Sequence, residues 1–418
     1  MDPNLMRKID QYIGILLCFF ITVLYKLQRL IGINNPRFNA HPKNILFVEL
    51  AEMGSIVVAY PAVKELTKMY QDTDIYFLSF GNIRESIEIL DITSNSNIFT
   101  IDNKSMISLI KDTFKFMYLS RRKKIDTAII LDAFVRYSTI LGYLSGARKR
   151  VGFFQYYQEG LYIGDFLTHK INYNPHIHTS QSFLSLVRSL KEPYGQIPFA
   201  KFILEDKILT IPRISSSQIQ RENIWSMLKR ENPSVDPTKK LVVINPNASK
   251  LISVRKWPLE NYAKLAKKLL YDEEIFIAIT GLESEKSDAE FICNYIENKR
   301  LLNLFGKTHI KYLIHLINIA NILITNDSGP AHFASLTNTP IVVFFGPESP
   351  NIYRPLSENC TVLYTHYACS PCVSVYNKRL SPCNDNMCLK AISVEYVYET
   401  VKNILYNHTP SRQGEYNQ

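Results

Sequence analysis

The chain lacks the marks of a secreted, fibrous or nucleic-acid-binding protein. Its seven cysteines in 418 residues are an odd number. No small-residue cleavage site follows the N-terminal apolar run, so a disulfide-framed secreted fold is excluded and a reducing compartment is expected. No internal repeat or low-complexity tract is present, which excludes repeat architectures and flexible tracts. The formal charge is +10, yet no nucleic-acid module with its aromatic or helix signature accompanies it. Such a basic balance suits an anionic membrane face or an anionic substrate. Even the longest apolar run, Tyr12 to Tyr25, broken only by Thr22, is shorter than the roughly twenty residues that a spanning helix needs.

What is there begins with that run. Beyond it Lys26, Gln28 and Arg29 alternate with Leu27, Leu30, Ile31 and Ile33, an amphipathic pattern that predicts a membrane-associated helix over residues 1–36, peripheral or monotopic. Arg7 and Lys8 on one side and Lys26 and Arg29 on the other give no clear orientation across a bilayer, so a helix lying at a cytoplasmic leaflet is expected. A signal peptide and a helix packed on the protein's own surface are the competing readings. The basic runs Arg121-Arg122-Lys123-Lys124 and Arg148-Lys149-Arg150 read, each by itself, as solvated surface.

With 46% hydrophobic and 21% charged residues the rest is ordinary globular chain, long enough for two domains each with its own core. Strand-like runs at Ile45–Leu50, Ile75–Phe80, Ile98–Ile101 and Thr127–Leu131 alternate with helical stretches such as Ala59–Tyr70 and Tyr137–Ser145. A second series follows at Leu241–Asn245, Ile275–Thr280, Ile322–Thr325 and Ile341–Phe345. This alternation predicts an α/β protein of two Rossmann-like, doubly wound parallel sheets. The domains are expected over 43–205 and 238–392, joined through the proline-bearing segment Tyr194 to Arg213. A helix over 393–407 is expected to pack back on the first domain, and the tail 408–418 to be disordered.

One segment carries more chemistry than the others: Thr325-Asn326-Asp327-Ser328-Gly329-Pro330-Ala331-His332, followed by a buried strand ending in Phe345-Gly346-Pro347. Asp327 and Ser328 are suited to cap the helix, Gly329 lets a ligand approach the backbone, and Pro330 fits a first turn that needs no N–H. Free amides and the helix dipole would then face an anion. The bland alternative is a pair of caps and a satisfied surface histidine. Two further stretches are Asn44-Ile45-Leu46-Phe47-Val48-Glu49-Leu50-Ala51-Glu52-Met53-Gly54-Ser55, leading to Pro61-Ala62-Val63, and Asn245-Pro246-Asn247-Ala248-Ser249 with Arg255-Lys256-Trp257-Pro258. Together, over roughly residues 43 to 400, these resemble glycosyltransferase family 9, the heptosyltransferase-like inverting enzymes of the GT-B fold, whose two Rossmann-like domains face a cleft.

The resemblance implies a nucleotide-sugar donor in the second domain. Ser328 and Gly329 would offer amides to the pyrophosphate, and Arg255 or Lys256 a cation to the departing nucleotide. Asn247 and Ser249 would add hydrogen bonds, Glu283 would accept from ribose hydroxyls, and Asp327 and His332 would contact sugar or phosphate. On the acceptor side the family's base is an Asp directly after the Met-Gly turn; here Gly54 is followed by Ser55, so Glu52, then Glu49, then Asp132 are the candidate bases. No Asp-x-Asp pair of the type that holds a divalent ion under a nucleotide-sugar stands in the donor motifs, so no cofactor and no divalent metal are expected. Cys369, Cys372, Cys383 and Cys388, spaced Cys-x2-Cys-x10-Cys-x4-Cys, read either as a structural metal site or as reduced or disulfide-forming thiols. The expected partners are the nucleotide-sugar, a lipid-linked or lipopolysaccharide-type glycan acceptor and the cytoplasmic leaflet of the inner membrane, with no nucleic acid. The expected activity is transfer of a sugar such as a heptose. A catalytically silent nucleotide-sugar-binding or scaffold protein and a GT-B epimerase are the rivals.

Overall fold

A computed structural model describes residues 1–32, 41–50, 52–157, 159–192, 196–205 and 209–407. The tail beyond 407, expected to be disordered, lies outside the described residues. The chain divides into two compact units, Met1–Thr210 and Ile211–Gln418.

In the first unit a long helix α1 (Pro3–Leu30) precedes β1 (Asn44–Val48), α2 (Met53–Met69), β2 (Asp74–Phe80), α3 (Arg84–Ile89), β3 (Ile98–Ile101), α4 (Met106–Arg122), β4 (Thr127–Ile130), α5 (Arg136–Leu144), β5 (Lys149–Phe154), β6 (His169–Asn172) and α6 (Thr179–Arg188). Its six strands pair in the order β3-β2-β1-β4-β5-β6, all parallel. The second unit runs α7 (Gln218–Glu231), β7 (Lys240–Asn245), α8 (Leu259–Leu269), β8 (Ile275–Ile279), α9 (Lys286–Ile296), β9 (Leu301–Asn303), α10 (Ile310–Ile319), β10 (Ile322–Asn326), α11 (Gly329–Ala334), β11 (Ile341–Phe344), α12 (Pro350–Tyr353), β12 (Cys360–Leu363), α13 (Met387–Lys390) and α14 (Val394–Asn407). Its sheet repeats the pattern, β12-β11-β10-β7-β8-β9, again parallel. Central strands such as Ile322–Asn326 and Ile341–Phe344 are buried along their whole length. That is why they read in sequence as unbroken apolar runs rather than alternating ones.

This order has a consequence for chemistry. In each sheet the connections leave in opposite directions between the first strand and its inner neighbour, β1/β4 in one unit and β7/β10 in the other. A crevice opens at the carboxyl ends of such a strand pair, and doubly wound sheets bind their ligands there.

Three expectations need correction. The helix expected to return to the first domain instead belongs to the second unit: α14 buries Val394, Val397, Val401 and Leu405 in the core that α8 and β10 share. The second unit also begins earlier than residue 238, because α7 buries Ile224 and Leu228 in its core. And Arg148-Lys149-Arg150 is not solvated surface, since Lys149 and Arg150 lie inside β5 and are 6% and 2% exposed. The Arg150 guanidinium donates to the carbonyls of Phe166 and Ala147 and sits over the rings of Tyr25 and Tyr143. Burial lowers its pKa, opposed by the two tyrosines; aromatic faces and carbonyls supply what a counter-ion would elsewhere.

Tyr25 belongs to α1, whose packing differs from that of a free anchor. Asp2 caps the helix through Asn4 N, and Pro3 occupies its first position, as a helix start prefers. One face is seated on α5. Gly14 lets the backbone lie against Arg136, where a Cβ would come 3.0 Å from Arg136 Cδ. Cys18 and Tyr25 pack with Ile140 and Phe166. Polar links run along the same seam: Asp10 accepts from Arg136 Nη1 at 3.3 Å and Tyr137 N at 2.9 Å, Thr22 Oγ1 accepts from Asp165 N at 2.8 Å, and Tyr143 OH donates to Gln28 at 2.9 Å. The other face is apolar and uncovered. Tyr12, Ile13, Leu16, Leu17, Phe19 and Phe20 are exposed, the reverse of the arrangement in a soluble surface helix.

Candidate active site

In the second unit the crevice between β7 and β10 gathers the sequence motifs. Asn326, last residue of β10, ties the two strand ends together: its Nδ2 donates to Pro246 O and its Oδ1 accepts from Trp257 N, both at 2.8 Å. The Trp257 ring stacks on Phe344 with centroids 4.5 Å apart, and its Nε1 donates to Ile392 O at 3.0 Å. Trp257 is therefore the bolt that fixes the two residues before it, Arg255 and Lys256, at the strand ends.

Those two residues do different things. Arg255 Nη1 donates to Glu348 Oε2 at 2.8 Å and reaches Asp327 Oδ2 at 3.5 Å. Burial opposes its charge, but Glu348 and Asp327 outweigh burial and raise its pKa. Arg255 is thus a brace between the turn after β10 and the turn after β11. Lys256 donates to Asn247 Oδ1 at 2.7 Å and pairs with Asp288 at 3.6 Å, with its side chain 34% exposed. It is the cation with access to solvent. Asn247 is buried and its Nδ2 has no protein acceptor, while Ser249 lies exposed beside it in sequence.

The Asp327–His332 turn departs from its expected caps. Ser328 occupies the N-cap of α11, but its side chain makes no cap bond; its hydroxyl donates back to Asn326 O at 3.1 Å. Asp327 faces Arg255 instead. The helix starts at Gly329 with no side-chain cap; Pro330 has no N–H and Ala331 N already donates to Ser328 O at 3.1 Å, so the Gly329 amide is the donor that this turn offers an anion. His332 Nδ1 is buried without a partner. Burial lowers its pKa, Asp327 opposes and Arg255 adds to the effect. Glu283 stands apart, exposed after β8 with its carboxylate against Gly306, whose φ of +72° and lack of a side chain make room for it.

In the first unit the corresponding crevice holds carboxylates. Glu49, just past β1, is 2% exposed. Asp132, just past β4, accepts from Leu50 N at 3.1 Å and from Ser138 Oγ at 2.5 Å, and its side chain hydrogen-bonds Glu49. Burial raises the Asp132 pKa against these bonds. Glu52 takes the N-cap of α2 without capping it by its side chain. Ser55 Oγ donates to Glu52 Oε2 at 3.2 Å, and Glu52 N donates to Glu49 Oε1 at 3.3 Å. Gly54 is buried in the same turn. The serine found where the family's aspartate is expected therefore holds a glutamate in the adjoining position.

Residues 121–381, more than half of the chain, match the profile described as glycosyltransferase family 9 (heptosyltransferase). The chain belongs to this family. Among family 9 relatives, lipooligosaccharide heptosyltransferase 2 of Campylobacter jejuni is 32% identical over 188 residues, 43% of this chain and 56% of that protein. The chain thus spans about half the length of that relative. Lipopolysaccharide core heptosyltransferase OpsX of Haemophilus influenzae is 21% identical over 324 residues, 75% of this chain and 82% of that protein. The solved structure of E. coli ADP-heptose lps heptosyltransferase II superposes with a TM-score of 0.68 at 19% identity, covering 87% of this chain and 99% of that one. The fold is GT-B, as the sequence motifs implied.

Within this family 9 framework the sequence missed Glu348 and Arg379. Glu348 is 1% exposed and holds Arg255, with Arg379 Nε 3.8 Å from its other oxygen. Its signal was present, since it follows the recognised Gly346-Pro347 directly. A literal Asp-x-Asp does occur at Asp72-Thr73-Asp74. It lies at the amino-terminal end of β2, exposed, at the edge of the sheet away from the crevice. All four loop cysteines are free thiols, and no group of three or more His, Cys, Asp or Glu among the described residues is arranged to hold a metal. The zinc spacing is thus not matched by geometry. The loop has another use: Asn386 Nδ2 donates to the carbonyls of Val254 and Lys256 and so braces the basic pair.

Proposed function

We propose that this chain is an inverting, metal-independent glycosyltransferase that moves a heptose from a nucleotide-sugar to a lipid-linked or lipopolysaccharide-type glycan, working at the cytoplasmic face of the inner membrane. The observation that carries the proposal is the division of equipment between the two crevices. One offers the uncapped Gly329 amide, a solvent-accessible Lys256 and the unpartnered Nδ1 of His332, fit for a diphosphate leaving group. The other offers carboxylates, fit to take a proton from an attacking hydroxyl. Relatives named as heptosyltransferases of lipooligosaccharide and lipopolysaccharide support the sugar and the acceptor class. The rival silent scaffold is disfavoured by the Ser55–Glu52 hydrogen bond, because it keeps a carboxylate at the acceptor turn.

In this mechanism Glu52 accepts the acceptor's proton as its oxygen attacks the anomeric carbon from the face opposite the nucleotide. Lys256 and the Gly329 amide take up the charge left on the diphosphate, Asp327 orients sugar hydroxyls, and His332 hydrogen-bonds sugar or phosphate. Glu283 accepts from the ribose. Incubation with ADP-heptose, beside GDP- and UDP-sugars, with and without a lipid acceptor tests this. Nucleoside diphosphate release that needs the acceptor supports transfer, whereas tight binding without turnover supports the scaffold. Asp327→Ala and His332→Ala should each lower kcat/KM by at least roughly tenfold, about 1.4 kcal/mol of transition-state stabilisation, in protein that is still folded by circular dichroism; unchanged turnover in both removes the site. Activity is expected to survive excess EDTA, since cations of the chain neutralise the leaving group. Loss restored by magnesium or manganese would overturn that mechanism.

A further inference from the structure

The membrane attachment proposed above concerns α1, but a second uncovered surface lies beside it. On α4, Ile107, Ile110, Phe114 and Tyr118 are 81%, 50%, 64% and 61% exposed. Their spacing of three, four and four residues places them on one stripe. The opposite side of the same helix is ordinary core: Leu109 and Phe116 are buried, and Phe116 meets Phe99 of β3 edge-on. A stripe of this size on a water-exposed helix marks a binding surface.

Two observations choose its occupant. The stripe is flanked by exposed Lys111, Lys115 and Arg122, with the Arg122 guanidinium 5.7 Å from the Tyr118 ring centroid. Aromatic residues beside flexible cations are the pattern that an anionic bilayer interface attracts. The stripe is also continuous with α1. The Met1 amine donates to Asn103 O just before α4. Asp10 of α1 accepts from Tyr137 N, and Tyr137 OH meets Thr113 Oγ1 of α4 at 2.7 Å. Between Tyr12 and Leu24, α1 exposes no charged residue. An apolar helix face fixed to a neighbouring apolar stripe with a basic margin fits a lipid surface better than a protein groove.

We propose that α4 is a second lipid-contacting element, in which Ile107, Ile110, Phe114 and Tyr118 enter the interface and Lys111, Lys115 and Arg122 bind anionic headgroups. The proposal rests on the attachment of α1, and the two are separable. In the full chain, single Leu16→Trp and Phe114→Trp variants report on the two helices against the native background of Trp225 and the buried Trp257. Both are mixed with phosphatidylcholine vesicles containing one-quarter phosphatidylglycerol and brominated acyl chains. The expected result is bromine quenching of both reporters. Lys111→Glu/Lys115→Glu/Arg122→Glu should then release the Phe114→Trp reporter and lower vesicle partitioning at least roughly tenfold at low ionic strength, with Leu16→Trp still quenched. If Leu16→Trp is quenched and Phe114→Trp is not, the α4 proposal falls while attachment stands. If neither is quenched, attachment itself falls and takes the proposal with it. Equal quenching of Phe114→Trp in vesicles of phosphatidylcholine alone would overturn the anionic selection.

Discussion

Glu52→Gln is expected to lower transfer by about a hundred- to ten-thousand-fold, the usual contribution of a positioned general base, while nucleotide affinity stays near that of the parent. The preference for Glu52 over its neighbours follows from their surroundings. Glu49 and Asp132 are committed to each other and to Leu50 N and Ser138. A carboxylate already bonded to a neighbouring carboxyl group and to fixed donors is less free to take a proton from an acceptor hydroxyl. Glu52 is half-buried at the amino end of α2, and Ser55 fixes its orientation. Ser55→Ala should therefore cost less, roughly tenfold, and Ser55→Asp should retain activity. Asp132→Asn should show its main effect in a lower melting temperature. Normal turnover by Glu52→Gln, with Glu49→Gln or Asp132→Asn inactive yet fully folded, would move the base to that pair.

Arg255→Ala is expected to destabilise the second unit by about 3–5 kcal/mol, because it strands two carboxylates in a closed environment. Glu348 would be left at 1% exposure facing Asp327 with only the distant Arg379. For a unit of this size the melting temperature should fall by about 10 °C, read by circular dichroism. Arg255→Lys should recover only part of the loss, since a single ammonium cannot span both turns as the guanidinium does. The double variant Arg255→Ala/Glu348→Gln separates structure from function: stability should return while donor affinity stays low. Full stability in Arg255→Ala would contradict the brace.

The parts of this protein that were legible in sequence are those that local chemistry marks. Ile98–Ile101 reads as a strand because three apolar or aromatic residues and a β-branched threonine stand between polar turns, and its observed limits are the same. The motif around Asp327 could be read because an amide cradle, a glycine and a proline have fixed places in such a turn. What stayed hidden depends on partners remote in sequence. β5 carries Lys149 and Arg150 into the core, and nothing nearby announces that Tyr25, more than a hundred residues earlier, will cover the guanidinium. Glu348 gains its role only when Arg255 arrives from a different strand end. The direction of α14 was misjudged by analogy, since its apolar face alone does not say which core it will join. Ser55 looked like a defect while the chain was one-dimensional; folded, its hydroxyl reaches the glutamate three residues back.

The seam between α1 and α5 also sets an order of events during synthesis. Asp10 meets Arg136 across 126 residues of chain, and Thr22 meets Asp165 across 143. At ordinary elongation rates the helix leaves the ribosome on the order of ten seconds before its docking surface exists. Through that interval both of its faces are bare. A bilayer present from the start would hold the outer face and turn Gly14, Cys18 and Tyr25 back toward the emerging α5. In a membrane-free extract the same helix would spend those seconds available to other nascent chains, so that detergent or vesicles supplied during translation, rather than after it, would govern the yield of folded protein.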